Sequence, residues 1–449
     1  MDSSSPSNKY FSREYAILGF IIVATFIANV SNYGFNIIAA RWLGRDDYGA
    51  LASLLSIFLI FSFPTSALQA VMAKHIAIFK AEGQEPKIST LFKGSVKIQA
   101  AIGVIIFLIF ACLSEVLSNF LKIGSAFPII VLGSAIAVGY VYPIFVGSLQ
   151  GYQYFGHMGI NMIFQAFGRV FVGIILIQLG WGIGGAMGAS TLALMAAIVL
   201  AYFQGRPIFN LRRPAAQVNF RQVYAEFVPA IILFAIFWSY TGVDMVIAKR
   251  VLTSLSAGEY ASAVFMGKII LFLPMAVSMV MFPKVAGLWA RGLKTANTFL
   301  RYLLVGVLLS GFAGLLYVAI PRFLVSLLYG SEYLNAAQIM GIFGIAMTLY
   351  TAVNMMLFYF VAIKATRIPI IIMLAALILE ILAMSFIART PERFALIHLV
   401  LATLLVLALL LIVMKIKFSE EERVTLFSSR KRSHQIERLS SQDWSREQT

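Results

Sequence analysis

NIIAARWLGRDDYGALASLLSIFLIFSFPTSALQAVMAKHIAIFKAEG, residues 36–83, returns in altered form as DMVIAKRVLTSLSAGEYASAVFMGKIILFLPMAVSMVMFPKVAGLWARG at residues 244–292. Asn36 aligns with Asp244 and Arg41 with Lys249 at an offset of 208; Pro64 aligns with Pro274 and Lys74 with Lys284 at 210. A two-residue insertion in the connecting loop accounts for the change. Each copy reads as an apolar run, a short polar turn and a second apolar run. The echo is weak in identity, but its landmarks keep their order.

Composition sets the solvent for these runs. The 449 residues are 60% hydrophobic and 12% charged, with a mean hydropathy of +0.89. Soluble domains carry roughly 25% charged residues, so this is an integral membrane protein. Runs of about 20 mostly apolar residues, the length of a spanning helix, lie at approximately 15–40, 49–73, 95–117, 126–149, 157–179, 183–204, 224–250, 258–283, 299–321, 335–362, 368–388 and 394–416. That is twelve. Lys9 and Arg13 precede the first run and no small-residue cleavage pattern follows it, so it reads as a retained helix.

Six spans separate the two copies, so both halves enter the membrane in the same sense, as parallel repeats do. The expected architecture is all-α and polytopic, with two six-helix bundles around a central cavity. Its parts are an N-terminal tail (1–14), a first bundle (15–205), a linker (206–223), a second bundle (224–417) and a basic tail (418–449) expected to be irregular. With both termini in the cytoplasm, 25 of the 35 Lys and Arg fall on that side, eight on the other, and Arg169 and Lys268 within spans. This positive-inside bias accounts for the net charge of +16 without nucleic acid. External loops are short, leaving no external domain for chemistry. The single cysteine, Cys112, rules out a disulfide framework.

Polar groups inside spans carry the functional signal, because an ionised side chain at mid-bilayer costs about 2.5–3.5 kcal/mol on insertion scales. Arg169 lies near the middle of span 5 and Lys268 near the middle of span 8. From opposite bundles they can clamp an anion, Arg by a bidentate grip on phosphate; the alternative is pairing with carbonyls or snorkelling. Asn29, Asn32 and Asn36 recur at i, i+3 and i+7 and share a helix face. Their amides suit sugar hydroxyls and equally suit hydrogen bonding between helices. Arg41, a further candidate for binding the substrate, ends the first span on the same side as Lys249 and Arg250, which end the seventh.

Asp244 lies about 9 Å inside that end, at 1.5 Å per residue. It shares a face with Tyr240 and Thr241, while Lys249 points about 140° away, poor geometry for an intrahelical pair. Its repeat partner Asn36 is neutral, so the carboxylate marks a difference between the halves. Asp244 and Lys249 are therefore the candidates for ion coupling or gating. Gly180, Gly184 and Gly188 form a row that lets helices approach closely. No GxxxxGK[ST] motif occurs, so this chain does not hydrolyse ATP by a P-loop. RDDYG (45–49) could hold a metal in a membrane glycosyltransferase, but the short loops leave no acceptor site. No metal site is expected.

Four stretches in order resemble one family. These are FNIIAARWLGRDDYGALASLLSI (35–57), YPIFVGSLQGYQYFGHMG (142–159), GVDMVIAKRVLTSLSAGEYASAVFMGKIILFLPMAVSMVMFPKVAG (242–287) and LYGSEYLNAAQIM (328–340). Together they resemble Wzx-type oligosaccharide flippases of the multidrug/oligosaccharidyl-lipid/polysaccharide exporter superfamily, whose fold MATE drug exporters share. The resemblance implies a non-enzymatic flippase that moves a polyprenyl-pyrophosphate-linked oligosaccharide to the outer leaflet by alternating access. It further implies a prokaryotic inner membrane, driving by H+, Na+ or membrane potential with no cofactor, and membrane lipids as partners. Polysaccharide polymerase or glycosyltransferases are further candidate partners, and the chain is read as a monomer. The competing reading is a MATE-like exporter of small organic molecules. Two mid-span cations argue against organic cations as its cargo.

Overall fold

The computed structural model describes the backbone of residues 6–446 except 63, 207–208, 210–215, 226–227 and 273. Side chains are described over residues 20–420, apart from those positions and 22, 64, 66, 275–276, 279, 283 and 290. The side chains of Lys9, Arg13 and the basic tail, and much of the linker, lie outside the described residues.

Every regular element among the described residues is helical, because hydrocarbon leaves backbone N–H and C=O groups no partner but their own helix. The first half comprises α1 (Pro6–Ser62), α2 (Pro64–Ala81), α3 (Glu85–Cys112), α4 (Ser114–Leu121), α5 (Phe127–Gly151), α6 (Phe155–Leu176) and α7 (Gly182–Gln204). A linker helix α8 (Phe220–Ala225) leads to α9 (Val228–Tyr240), α10 (Val243–Val251), α11 (Ser254–Phe272) and α12 (Met275–Ala290). The second half closes with α13 (Ala296–Ala319), α14 (Pro321–Leu328), α15 (Ala337–Ala362), α16 (Arg367–Phe386) and α17 (Pro391–Arg446).

Among the described residues, ten stretches are long and apolar enough to cross a membrane. Two of them, Val23–Ala81 and Phe155–Gln204, contain 59 and 50 residues, enough to cross twice. The first is bent at Gly44 (φ 74°, ψ 173°). The second bends through a short π-helical turn, Ile177–Trp181, at Gly180 (φ 84°). Each of these two long stretches covers two of the twelve runs that the sequence predicts. Gly180 thus makes a bend, whereas Gly184 packs: a Cβ there would lie 2.5 Å from the Phe127 ring.

Three crossings are each two helices, two of them interrupted at prolines that the sequence places inside the second and eighth runs. The second changes from α1 to α2 at Pro64, the seventh breaks between α9 and α10 at Thr241–Gly242, and the eighth breaks before Pro274. Proline supplies no N–H to the turn before it, which explains the first and third breaks. The tail expected to be irregular continues α17 to Arg446. An α-helix satisfies its backbone locally, so a polar segment can extend one without a core.

Within the first half, α3 and α2 pack on α5, and α6 packs on α1 and α7; within the second, α15 packs on α13, α17 and α11. The halves meet chiefly along α1 and α11. The α11 span is 78% buried, while the α3 and α13 spans are 22% buried. Hence α11 runs through the middle of the molecule, and α3 and α13 present their apolar surface outward.

Candidate functional site

A cavity of about 280 Å³ lies between the halves. Its first wall is α1, carrying Asn29, Asn32, Tyr33 and Asn36. Behind these stand Tyr142 of α5, Gln165 and Arg169 of α6, and Ser190 of α7. The facing wall is α11, with Phe265, Lys268 and Phe272. The three amides and both cations read from the sequence thus converge on one space.

Arg169 donates from Nη1 to Asn32 Oδ1 at 3.0 Å and lies 4.7 Å from the centroid of the Phe35 ring. Its Nε has no protein partner. Lys268 is 1% exposed, sits 5.0 Å from the Phe265 ring centroid, and its Nζ has no hydrogen-bond partner. Lys268 lies near the end of α11, close to the break before Pro274 and so near the middle of the crossing that α11 and α12 make together. Asn36 donates to the Asn32 carbonyl at 2.9 Å, which leaves its buried Oδ1 without a partner. Two donors with unused capacity and one unpaired amide oxygen therefore belong to residues lining this space, beside further amides and hydroxyls. Gln165 escaped the sequence reading. It precedes Arg169 by one helical turn and so shares its face, and that spacing was the available signal.

Arg41 lies elsewhere. It is exposed and donates to the carbonyls of Leu327 (2.7 Å) and Leu328 (3.0 Å) at the end of α14. It cannot also serve the cavity, because the α1 turn beyond Ala40 carries it past the amide-bearing face. Lys249 is 2% exposed and donates to the Asp46 carbonyl at 3.4 Å. Nearby, Arg45 pairs with Glu259 at 3.0 Å and Tyr333 donates to the Ala40 carbonyl at 2.8 Å. Tyr48 and Tyr329 share a hydrogen bond at 3.3 Å. These contacts tie the two halves together at the Gly44 end of the cavity.

Asp244 occupies a third place, inside the second half, at the first turn of α10. It accepts from the Tyr260 hydroxyl at 2.9 Å, and His398 Nε2 stands 3.2 Å from its Oδ2. On the other side of that imidazole, Nδ1 is 3.3 Å from Glu380 Oε1 and 3.0 Å from the Tyr350 hydroxyl. Asp244, Glu380 and His398 are each no more than 1% exposed. Glu380 and His398 are additions to the sequence reading. Glu380, in LAALILEILAM (374–384), carries the signal of an ionisable group in an apolar run, overlooked when attention rests on cations and amides. His398 carries none, since its partners arrive from other helices. No group of His, Cys, Asp and Glu among the described residues has a metal-holding arrangement.

Residues 18–289 match the family model described as "Polysaccharide biosynthesis protein", more than half of the 449 residues. Among curated proteins none matches the chain in sequence. Solved structures share its fold at low identity. An inward-facing multidrug resistance MATE family transporter of the MOP superfamily has a TM-score of 0.72 at 12% identity, over 88% of this chain and 99% of that one. Lipid II flippase MurJ, in an inward closed conformation, has 0.65 at 16%, over 90% and 91%. The eukaryotic MATE transporter AtDTX14 has 0.65 at 15%, over 92% and 99%.

Proposed function

Because the chain belongs to the polysaccharide biosynthesis protein family, we propose that it flips a polyprenyl-pyrophosphate-linked oligosaccharide from the cytoplasmic to the outer leaflet of a prokaryotic inner membrane. Family and fold neighbours are flippases and transporters, not enzymes, so the chemistry to explain is binding and movement. One observation carries this reading. Lys268 and Arg169 face the same cavity from opposite halves with N–H groups unused. A buried cation without a partner is costly, and a pyrophosphate supplies the missing charge. Asn29, Asn32, Asn36 and Gln165 then meet the proximal sugar. At about 280 Å³ the cavity encloses only the head of such a cargo; its prenyl chain stays among the bilayer lipids.

The basic residues at 74–97, 206–221 and 284–301 place their end on the cytoplasmic side by the positive-inside rule. The contacts of Arg41, Arg45, Lys249 and Tyr333 then close the outer side, leaving Lys249 as a gating residue and Arg41 as a latch residue. Asp244 is the ion-coupling candidate, with a proton favoured over Na+ because His398 fills the space beside it.

The test is Arg169→Ala, Lys268→Ala and the double variant in a host whose surface polysaccharide depends on this chain. Each variant should insert normally yet lose surface polysaccharide, with lipid-linked precursor retained on the cytoplasmic face. Normal polysaccharide from all three would sink the clamp. Export of a small organic anion is the second reading, favoured by the cavity volume. It predicts vesicle uptake of small anions without lipid-linked precursor build-up.

A further inference from the structure

The short helices α4 (Ser114–Leu121) and α14 (Pro321–Leu328) have eight residues each and occupy equivalent places, after α3 in one half and after α13 in the other. Their offset of 207 is one less than that of Arg41 and Lys249. Neither is needed to cross the membrane. The 28 residues of α3 and 24 of α13 extend about 42 and 36 Å at 1.5 Å per residue, and the hydrocarbon is about 30 Å thick. Both short helices stand at the Gly44 end and touch the opposite half. Arg41 of the first half donates to the carbonyls of the last two residues of α14. Arg250 of the second half stands 5.6 Å from the centroid of the Phe120 ring of α4.

The two helices share one layout. The fifth residue, Ser118 or Val325, is buried against the protein. The second and sixth, Glu115 and Asn119 or Arg322 and Ser326, are polar and exposed. The third and seventh are apolar, Val116 and Phe120 in α4 and Phe323 and Leu327 in α14, and these four are 41–65% exposed. Residues four apart lie on one face, so each helix carries an uncovered apolar strip beside a polar one. Left to water, such a strip forfeits its transfer free energy. Each strip also continues a lipid-facing surface. Ile109 and Leu113 precede it in one half and Leu316 and Ile320 in the other, all exposed and again 207 residues apart.

We propose that α4 and α14 are a matched pair of surface anchors, seated in the phospholipid headgroup layer at the Gly44 end, with α14 the one that selects anionic phospholipid. Val116, Phe120, Phe323 and Leu327 dip into the acyl boundary, and the polar strips stay among the headgroups, as on any helix that lies on a membrane. The two anchors differ in charge at one equivalent position, where α4 has the carboxylate of Glu115 and α14 the guanidinium of Arg322. Arg41 places a second guanidinium at the end of α14. A basic group near an anionic lipid surface is attracted to it, and a carboxylate is repelled. The α14 helix therefore seats more firmly as the layer becomes anionic, and α4 responds less. The seat does not depend on what the cavity binds.

The experiment places one spin label on the full chain, in a Cys112→Ser background, through Val116→Cys, Glu115→Cys, Phe323→Cys or Arg322→Cys. Each labelled chain is reconstituted in phosphatidylethanolamine vesicles with a rising fraction of phosphatidylglycerol. Collisions with oxygen, which concentrates in the bilayer, are compared with collisions with a water-soluble nickel chelate. The oxygen-to-nickel ratio should be several-fold higher for Val116→Cys and Phe323→Cys than for Glu115→Cys and Arg322→Cys. Equal ratios at all four overturn the seat. Oxygen collisions that vanish from the two apolar sites as the protein-to-lipid ratio rises assign the strips to a second copy and overturn lipid as the partner. More phosphatidylglycerol should raise the ratio for Phe323→Cys more than for Val116→Cys, and adding Arg322→Gln should remove the difference. An equal rise at both sites overturns the lipid preference of α14. Where a label prevents folding, Phe120→Cys or Leu327→Cys reports on the same strip.

Discussion

Arg169 combines three features in one planar group: a hydrogen bond to Asn32, a stack on Phe35 and an Nε without a protein partner, which the proposed function assigns to cargo. A lysine at this position keeps the charge but cannot hold Asn32 and an oxyanion with one rigid fork. Arg169→Lys should therefore weaken farnesyl pyrophosphate binding about tenfold, the equivalent of one charge-assisted hydrogen bond of about 1.5 kcal/mol. An unchanged affinity in a calorimetric titration of the full chain in lipid nanodiscs would reduce Arg169 to a point charge. Arg169, Lys268 and the three asparagines were legible without coordinates, since an ionisable group or a face of amides stands out in an apolar run. Arg41 was misplaced for the converse reason. A cation at a helix end reads the same whether it faces a cavity or caps a carbonyl on another helix.

At the level of elements, α1 depends on one residue for its shape. Gly44 holds φ 74° and ψ 173°, a region open essentially to glycine and costing other residues about 1–3 kcal/mol. Nothing lies within 4 Å of a Cβ built there, so strain alone would be at work. Gly44→Ala should lower stability by about 1–3 kcal/mol, read as a drop in the thermal midpoint in detergent. A midpoint equal to wild type would show that the bend is optional. The α11 helix presents the other legibility problem. Hydropathy ran it together with α12, because a break that faces a neighbouring helix leaves the apolar run intact. Pro274 was the visible sign, and what it did to Lys268 was not. Ending α11 near Lys268 puts that side chain at a break in the helix, beside the cavity.

For the molecule as a whole, the proposed flipping by alternating access requires that the halves separate at the Gly44 end. That end holds Arg41 on α14, Arg45 on Glu259, Lys249 on Asp46 and Tyr333 on Ala40. Asp46→Cys with Lys249→Cys, joined by a short bifunctional thiol reagent that reducing agent cleaves, should stop flipping in reconstituted vesicles. Reduction should restore it. Flipping at the normal rate while cross-linked would mean that the halves do not part there. The amino-acid sequence by itself determined the solvent and the all-helical class, and it singled out polar residues that line the cavity, because hydropathy and the cost of buried charge are local properties. Only the tertiary structure decided that His398 stands between Asp244 and Glu380, that Arg41 donates to the carbonyls of Leu327 and Leu328, and that α11 carries both Tyr260 and Lys268. Those facts depend on which side chains from different helices come within about 3 Å, and a helix satisfies its own backbone without encoding its neighbours.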